Sequence, residues 1–460
     1  MSRLPFRRVA AASVLTLLTA LPVAAESLAD AMVSAYRHSP LMDQNRAVLR
    51  AADEDVAQAV STLRPVLDWA ATHRLSSGGV NSTSFGLEAQ ITLYDWGRSQ
   101  LDIDAKKELV LATRESLVDV EQQVLLESVR SFFDVRSSAE QVELQQNSVR
   151  VLQQEQQAAQ DRFDVGEITL TDVSLANAQL ASSRASLAAA QGSLEIAREG
   201  YRAATGGAPG ALAAPPPLPS LPESLAAARG IGQRNHPTMK QVQHQAAAAE
   251  LGVASAKAER NPRLTGSLSA GIARQSSRQA PDDYVTGRNA EASVTLSQRL
   301  YSGGQLSSVL RQQMARRDEA RALLLNAARQ IDLAVGQSWA NIDVARAQIV
   351  AINQQISAAQ QAYDGVREEA TLGARTTLDV LDAEQSLLEA RANKIDAEAN
   401  LQLAHYQLLS AMGLLTVENL QLGIPTYDPS EYYNAVRDAP FTSRQGENLD
   451  RVLRALGKSN

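Results

Sequence analysis

The chain has 460 residues, a formal net charge of −7 and no cysteine. The lack of cysteine excludes a disulfide framework, a cysteine-ligated metal and a lipidated cysteine at the mature N-terminus, and the acidic balance gives no support to nucleic-acid binding. Aromatic residues make up only 4% of the chain, which is typical of long packed helices rather than thick globular cores.

Residues 1–25 are predicted to form a secretory signal peptide. Arginines precede an apolar stretch over residues 9–21, and Val23-Ala24-Ala25 supplies the small residues of a cleavage site. A short buried helix is the alternative, which the placement of the charges disfavours. No later stretch is apolar over the ~18 residues that a membrane-spanning helix needs. We therefore expect an exported chain without a lipid anchor.

The rest of the chain contains one large unit twice. Residues 27–206 return in diverged form as residues 224–413, and Ser27-Leu28-Ala29, for example, matches Ser224-Leu225-Ala226. The offset between matched residues changes once, with the register kept on both sides, which indicates a loop insertion in a duplicated unit. The unit is far larger than the roughly 20–50 residues of common solenoid repeats.

The duplication predicts a first structural repeat over residues 26–207 and a second over residues 224–423. Residues 208–223 between them are rich in Pro, Gly and Ala and are predicted to be an extended linker. Residues 424–460 carry prolines and scattered charges without a periodic pattern. We expect a flexible C-terminal tail there.

Each repeat is predicted to begin with a helical segment that is interrupted once near a proline. Ser39 and Pro40 have the pattern of an N-cap followed by proline at the first helical position. The helix from about Pro40 to Leu63 has a counterpart from about Pro237 to Arg260. Each stops before an X-Pro pair, where the helical conformation is disfavoured.

The apolar period then changes to two, which indicates one β-hairpin over residues 66–94 and another over residues 263–301. The alternating apolar positions are Leu67, Trp69, Ala71 and Leu75; Phe85, Leu87, Ala89, Ile91 and Leu93; Leu264, Gly266, Leu268, Ala270 and Ile272; and Ala290, Ala292, Val294, Leu296 and Leu300. The positions between them are mostly small and polar.

These strands are predicted to lie in a membrane. Their length of about 10 residues suits a tilted membrane strand better than the roughly 5–6 residues usual in soluble sheets. Aromatic residues at strand ends (Tyr94, Trp96 and Tyr301) suit the membrane–water interfaces. A soluble sandwich is the alternative. Because about eight strands are the practical minimum for a barrel, four strands require an oligomer, and a trimer would supply twelve.

Two long helices follow the hairpins. Residues 98–163 and 305–370 contain no proline and are predicted to be helical nearly throughout, giving rods of roughly 100 Å. The returning helices carry a heptad seam with small residues at every other position, over residues 176–204 and 383–411. Such seams are typical of close, coiled-coil-like helix pairing.

Residues 26–423 resemble the TolC family of outer-membrane channel-tunnels. The resemblance is carried by the duplication, by Leu-Tyr-Asp-Trp-Gly at 93–97 with Leu-Tyr-Ser-Gly-Gly at 300–304, and by two helix–helix turns at 163–173 and 372–383. It implies a mixed α and β fold that is mainly α-helical. A long α-helical coiled-coil barrel would continue a twelve-stranded transmembrane β-barrel, to which each chain of a homotrimer gives four strands.

The resemblance also implies a function. The trimer would be a passive exit duct for efflux or type I protein secretion, set in outer-membrane lipid and extending into the periplasm. Its partners would be a periplasmic adaptor protein and an inner-membrane pump of the ABC or RND type. A soluble periplasmic coiled-coil adaptor is the competing interpretation, although an adaptor would normally carry an all-β module between its helices.

The exposed helix–helix turns are the expected adaptor-docking sites. The residues assigned to docking are Val165, Gly166 and Glu167 in the first repeat and Leu372, Gly373 and Ala374 in the second. The two glycines are expected to supply a backbone geometry that other residues resist. Ala370 occupies the position of a tyrosine that helps to hold the tip closed in some family members, and Phe163 is its equivalent in the first repeat. Arg375 would pair with a neighbouring acid as part of a gate, or remain solvated.

Asp379 and Asp382 are candidates for a cation-binding constriction. They lie three residues apart on a helix expected to begin near Thr376, so both side chains point to one face. Around a threefold axis they would form a narrow ring of six carboxylates that favours cations. The alternative is that they only offset the helix dipole, as Asp172 does in the first repeat, where Leu175 matches Asp382.

The sequence contains no pattern that indicates catalysis. The five histidines show no metal-ligand spacing, and Gly457-Lys458-Ser459 is not the end of a phosphate loop, because Val452 stands where the first glycine is required. We therefore expect neither an enzyme nor a cofactor. The sequence does not distinguish drugs, metals and polypeptides as cargo.

Overall fold

The computed structural model describes residues 25–76, 80–276, 283–439 and 451. The predicted signal peptide, apart from Ala25, lies outside the described residues, as does most of the predicted tail beyond residue 439. Among the described residues, no helix combines the length and the apolarity needed to cross a membrane.

The described elements form two matching series. The first is α1 (Leu28–His38), α2 (Pro40–Ser61), β1 (Val66–Arg74), β2 (Ser82–Tyr94), α3 (Arg98–Asp164) and α4 (Leu170–Thr205). The second is α5 (Leu225–Asn235), α6 (Pro237–Ala258), β3 (Arg263–Ser276), β4 (Tyr284–Ser297), α7 (Gln305–Thr371) and α8 (Thr377–Ala411), followed by α9 (Pro429–Val436). Both long helices have 67 residues, so the structure repeats as the sequence does.

Local capping explains where several helices begin. The Ser27 hydroxyl accepts a hydrogen bond from the Asp30 backbone N–H and the Asp30 carboxylate accepts one from the Ser27 N–H, which is a capping box. Ser39 caps α2, and Pro40 occupies its first turn, where the missing N–H removes no hydrogen bond. The predicted interruption at this proline is confirmed.

The four strands form one antiparallel sheet in the order β1-β2-β3-β4. The sequence predicts the two hairpins, but the pairing of β2 with β3, which joins them, comes from the structure. Successive rows of cross-strand partners point to opposite faces of the sheet, and the two faces differ in chemistry. Trp69, Leu87, Ala270 and Ala290 form one row, and Asp68, Glu88, Ser269 and Glu291 form the adjacent row on the opposite face.

The second hairpin is shorter than predicted, because β4 ends at Ser297 and not near Tyr301. Ser297 pairs with Arg263, the first residue of β3, so β4 has no partner strand beyond it. Leu300 and Tyr301 follow as irregular chain and are 90% and 88% exposed in the single chain.

Equivalent tight turns connect the sheet to the long helices. Trp96 and Gly97 have φ values of 54° and 82°, and the matching Gly303 and Gly304 have values of 59° and 88°. A side chain in this left-handed region costs roughly 1–2 kcal/mol. The second repeat avoids that cost with glycine, whereas the first keeps an aromatic residue beside Tyr94, at 4.8 Å between ring centroids.

The main hydrophobic core surrounds the middle of the long helices. Short helices of both repeats pack there, and the completely buried residues include Leu28, Leu49, Leu125, Phe132 and Leu408. The linker between the repeats is held to this region: Arg136 donates to the Ala213 carbonyl at 3.0 Å. The sheet and the helix–helix turns therefore extend from opposite ends of one packed centre.

The prediction of a flexible tail over residues 424–460 is wrong for residues 424–439. This stretch includes α9 and packs against α2, where the Tyr432 hydroxyl donates to Glu54 at 2.7 Å. Arg64 donates to two backbone carbonyls at the end of the stretch. These partners lie more than 370 residues apart in sequence, so no local pattern reveals them.

A buried carboxylate lies close to this C-terminal packing. Asp53 of α2 has no exposed surface, and neither carboxylate oxygen has a hydrogen-bond partner among the described residues. Burial raises the pKa of Asp53 from 3.8 to about 6; the positive charge of Arg114 opposes this shift and Glu54 adds to it. Because the folded-state pKa of Asp53 lies above the unfolded value, ionisation of Asp53 lowers the free energy of unfolding. The stability that the protonated carboxyl preserves is complete below about pH 4 and is lost as the pH rises through about 6.

We expect Asp53→Asn to stabilise the protein at pH 7.5 and to have little effect at pH 4. A shift of this size corresponds to on the order of 2–3 kcal/mol at neutral pH. Thermal unfolding at both pH values measures the difference. Asp55→Asn on the same helix is the control, since Asp55 is exposed and pairs with Lys106 at 3.6 Å. Equal changes in the two variants, or a change that is independent of pH, would contradict the assignment.

Candidate functional site: the helical tips

Each long helix ends at a tip of the same construction. At the end of α3, Gly166 has a φ of 81°, its N–H donates to the Phe163 carbonyl at 2.9 Å, and the Glu167 N–H donates to the Arg162 carbonyl at 2.9 Å. This Schellman pattern satisfies carbonyls that the helix end leaves without partners. The predicted special backbone geometry at Gly166 is confirmed.

The end of α7 repeats this geometry. Gly373 has a φ of 77°, its N–H donates to the Ala370 carbonyl at 3.2 Å, and the Ala374 N–H donates to the Glu369 carbonyl at 2.9 Å. A β-carbon at Gly166 or Gly373 would have no other atom within 4 Å. Both glycines are therefore required by backbone conformation and not by crowding.

The returning helices also begin in the same way. Thr169 and Asp172 form a capping box at the start of α4, and Thr376 and Asp379 form one at the start of α8. Each tip is thus a Schellman stop followed within a few residues by a capping-box start. Hydrogen bonds close to the turn define both ends, so the tip conformation follows from short sequence patterns.

The tips expose aliphatic side chains at equivalent positions. Val165 is 72% exposed and Leu372 is 85% exposed, each directly before the turn glycine. Glu167 accepts from Arg162 at 3.3 Å at the first tip. The docking candidates are therefore all at the tips, and each tip combines an apolar side chain with a charged one.

Arg375 is paired within its own tip. Its Nε donates to Glu369 Oε2 at 2.8 Å, and both side chains are about half exposed. The hydrogen bond and the negative charge of Glu369 raise the pKa of Arg375, so the guanidinium remains charged. The sequence leaves open whether Arg375 is paired with an acid or solvated, and in the single chain it is paired with Glu369.

Ala370 lies in the seam between α7 and α8. It is buried with Tyr363, Val380 and Leu387 in a small hydrophobic cluster. Tyr363 lies two helical turns before Ala370 and is buried in the same seam. Ala370 therefore contributes a small side chain to this seam, where some family members have the tyrosine.

Two polar contacts that the sequence analysis missed tie the helical hairpins of one chain together. Arg367 of α7 pairs with Glu155 of α3 at 3.2 Å, and the Ser148 hydroxyl of α3 donates to Glu384 of α8 at 2.9 Å. Burial raises the pKa of Glu384, and the hydrogen bond from Ser148 opposes that shift. An acid placed between the apolar seam residues of α8 is the only sequence signal for this contact.

A groove of about 260 Å³ runs between the two hairpins beside the tips. Residues of both repeats line it, among them Glu155, Ala159, Glu167, Arg367, Ala370 and Val380. The groove therefore combines small apolar residues with charged ones, and Glu167 connects it to the first tip.

The acidic candidates differ in their surroundings. One carboxylate oxygen of Asp379 accepts hydrogen bonds from the Thr376 N–H and hydroxyl, each at 2.9 Å, and these bonds lower the pKa of Asp379. Asp382 lies one turn further along α8 and is exposed. Asp379 thus caps its helix, as Asp172 does in the first repeat, while the proposed ring would need three chains.

The histidines are in ordinary structural contacts. His244 lies 2.8 Å from Glu108, and the buried His405 lies 2.8 Å from the Leu401 carbonyl. Within the described part of the chain, no group of three or more histidine and acidic residues is arranged to hold a metal ion.

Comparison with known proteins identifies the architecture. A family model described as outer membrane efflux protein matches residues 31–207 and 232–414. The outer membrane efflux protein BepC of Brucella suis is 31% identical over 93% of this chain and 94% of its own length. The outer membrane protein TolC of Escherichia coli is 25% identical, covering 86% of this chain and 84% of that protein.

A secretion protein and a solved outer-membrane protein extend the comparison. The alkaline protease secretion protein AprF of Pseudomonas aeruginosa is 25% identical over 70% of this chain and 68% of its own length. The structure of the outer membrane protein VceC of Vibrio cholerae superposes with a TM-score of 0.71 at 22% identity, covering 84% of this chain and 96% of that one. The alternative of a soluble adaptor is not favoured, since BepC, TolC and VceC are outer-membrane proteins.

The family match includes most of both repeats, and the four-stranded sheet fits one chain's share of a larger barrel. The predicted fold class and outer-membrane location are confirmed. The chain belongs to the outer membrane efflux protein family and is an outer-membrane channel with the TolC architecture.

Proposed function

We propose that three copies of this chain form the exit duct of a tripartite efflux or type I secretion system. The observation that carries the proposal is the sheet with two open edges: within the described part of the chain, β1 and β4 each lack a partner strand on one side. In lipid, an unpaired strand edge leaves backbone groups without hydrogen bonds, at a cost of several kcal/mol each. Three sheets joined edge to edge close a barrel of twelve strands and remove every edge.

The helical tips supply the proposed contact with a periplasmic adaptor. The exposed Val165 and Leu372 lie at equivalent positions, so a trimer offers six similar tips. The groove between the hairpins places charged and small apolar residues next to them. An adaptor joined to an ABC or RND pump in the inner membrane would supply the energy, because the duct itself is passive.

The polar contacts between the hairpins support a gated duct. Arg367–Glu155 and Ser148–Glu384 hold α7 and α8 against α3. Separation of the two hairpins would break these contacts. Engagement of the tips by an adaptor would act on the same hairpins.

Cross-linking of the purified protein in mild detergent tests the assembly. We expect a ladder that stops at the trimer, recovery in the outer-membrane fraction and pores in planar bilayers. A ladder that stops at the dimer, or recovery only from the soluble periplasm, would overturn the proposal.

Two relatives favour two kinds of cargo. The names of BepC and AprF refer to efflux and to alkaline protease secretion, respectively. Deletion of the gene, followed by profiling of both secreted proteins and drug sensitivity, separates the two. Loss of secreted proteins assigns polypeptide cargo, and gained drug sensitivity assigns small molecules.

A further inference from the structure

The apolar face of the sheet carries charge at one end only. Among the described strand residues, the acids Asp68, Glu88 and Glu291 all lie on the polar face, which the cross-strand pairing shows. The apolar face contains His73, Arg274 and Arg288 and no acid. All three basic residues lie near the hairpin turns.

The register places these basic residues in adjacent rows. His73 pairs with Thr83, Thr83 pairs with Arg274, and Arg274 pairs with Thr286, which makes one row across the sheet. Arg288 pairs with Ile272 in the next row, roughly 7 Å further along the strands. We call His73, Arg274 and Arg288 the basic belt.

Local contacts hold two members of the basic belt on this face. The His73 ring lies 2.8 Å from the Thr83 hydroxyl, and the Arg274 guanidinium lies over the Tyr284 ring, 4.6 Å from its centroid. These contacts leave most of the guanidinium donors of Arg274 unused, and Arg274 and Arg288 are exposed. Beyond the belt, the face is apolar, with the row of Trp69, Leu87, Ala270 and Ala290.

The connectivity fixes which membrane surface the basic belt meets. The opposite ends of the strands lead into the helices, which extend into the periplasm. The strand ends at Arg74, Ser82, Ser276 and Tyr284 therefore lie towards the cell exterior. The belt consequently lies at the outer-leaflet boundary of the lipid-facing surface.

We propose that the basic belt binds the phosphate groups of the phosphorylated glycolipid in the outer leaflet. A guanidinium donates paired hydrogen bonds to phosphate oxygens, so arginine suits this ligand. Basic residues on the lipid face are disfavoured at the bilayer midplane and tolerated near the interface, where their side chains reach the headgroups. No carboxylate on the described part of this face competes for the belt.

Closure of the barrel would extend the basic belt around its circumference. When β4 of one chain pairs with β1 of the next, each of the three chains adds its own copy of the basic belt to the circumference. Among the described strand residues, no acid lies on this face between the copies of the belt. Such a ring matches a leaflet in which phosphorylated headgroups contact the barrel on all sides.

Native mass spectrometry of the delipidated trimer tests the proposal. The probes are diphosphorylated lipid A, the same lipid after removal of both phosphates, and phosphatidylglycerol. We expect the wild-type trimer to bind diphosphorylated lipid A at least about tenfold more tightly than either other lipid. The double variant Arg274→Gln/Arg288→Gln should lose this preference and keep its binding of the dephosphorylated lipid.

Arg74→Gln is the matched control. Arg74 lies beside His73 at the same end of β1, on the polar face, so its variant should bind the phosphorylated lipid as the wild type does. The trimer mass in each spectrum shows whether a variant assembles. If the double variant does not assemble, the proposal is decided by the lipid preference of the single variant Arg274→Gln and of the wild type. Equal binding of the three lipids by the wild type, or unchanged preference in the arginine variants, would overturn the proposal.

Discussion

The double variant Asp379→Asn/Asp382→Asn should lose the preference for cations that we expect of the wild-type channel in planar bilayers. Three copies of the pair would place six carboxylates around a narrow opening, and a ring of acids favours cations. Block by multivalent cations should disappear with the charge. Export should persist, because a ring of this kind is a filter and supplies no energy.

The structure determines the choice of asparagine. The Asp379 carboxylate accepts hydrogen bonds from Thr376 at the start of α8, and alanine would remove this cap together with the charge. Loss of a helix cap costs roughly 0.5–2 kcal/mol, which would mix instability with the electrostatic effect. Asparagine keeps an acceptor oxygen at nearly the same position.

The variant Asp172→Asn is a control that changes a helix-capping acid without changing the proposed ring. Asp172 forms the equivalent capping box in the first repeat, but Leu175 replaces the second acid there. This variant should retain cation selectivity. If the double variant at 379 and 382 also retains wild-type selectivity and block, these acids only stabilise the start of α8 and the ring hypothesis fails.

The pH dependence of the ring follows from two opposing effects. Within a single chain, hydrogen bonds from Thr376 lower the pKa of Asp379. Asp379 therefore stays ionised there, and its helix cap is lost only as the pH falls below the usual carboxylate range. Around a threefold axis, the three Asp379 carboxylates would repel one another, which raises the apparent pKa of part of that set and makes it titrate as a coupled set. Cation selectivity should therefore fall in more than one step as the pH is lowered.

Gly373→Trp should abolish most adaptor binding while leaving trimer assembly intact. A β-carbon at this position meets no other atom within 4 Å, so the indole would extend outward into the proposed docking surface. The backbone strain of a side chain at a φ of 77° is roughly 1–2 kcal/mol and is confined to the turn. We expect adaptor cross-linking to fall at least about tenfold, which corresponds to about 1.4 kcal/mol of binding free energy.

Gly373→Ala is the control for backbone strain. It introduces the same left-handed strain without the bulk, so its adaptor binding should stay closer to the wild type than that of the tryptophan variant. Gly166→Trp tests the equivalent tip of the first repeat. If both adaptor cross-linking and export survive Gly373→Trp, the docking assignment is wrong.

The tips show which part of a site is accessible to sequence reasoning. Gly373 and the Thr376–Asp379 pair are separated by few residues, and their hydrogen bonds close within the same stretch. The positions of the turn, the helix start and the exposed Leu372 therefore follow from local patterns. The contact between Arg367 and Glu155 joins helices far apart in sequence, and neither residue stands in a pattern that names its partner.

The sequence by itself determined the repeat, the strands and the long helices, because each depends on periodicity or on residues within a few positions of one another. Only the tertiary structure decided how β2 pairs with β3, that residues 424–439 pack against α2, and that Asp53 is buried near them. These contacts join segments separated by up to several hundred residues, and side chains such as Tyr432 and Glu54 suit many partners equally well. Their choice of partner depends on which surfaces the packed helices bring together, a property of the whole chain that no local pattern records.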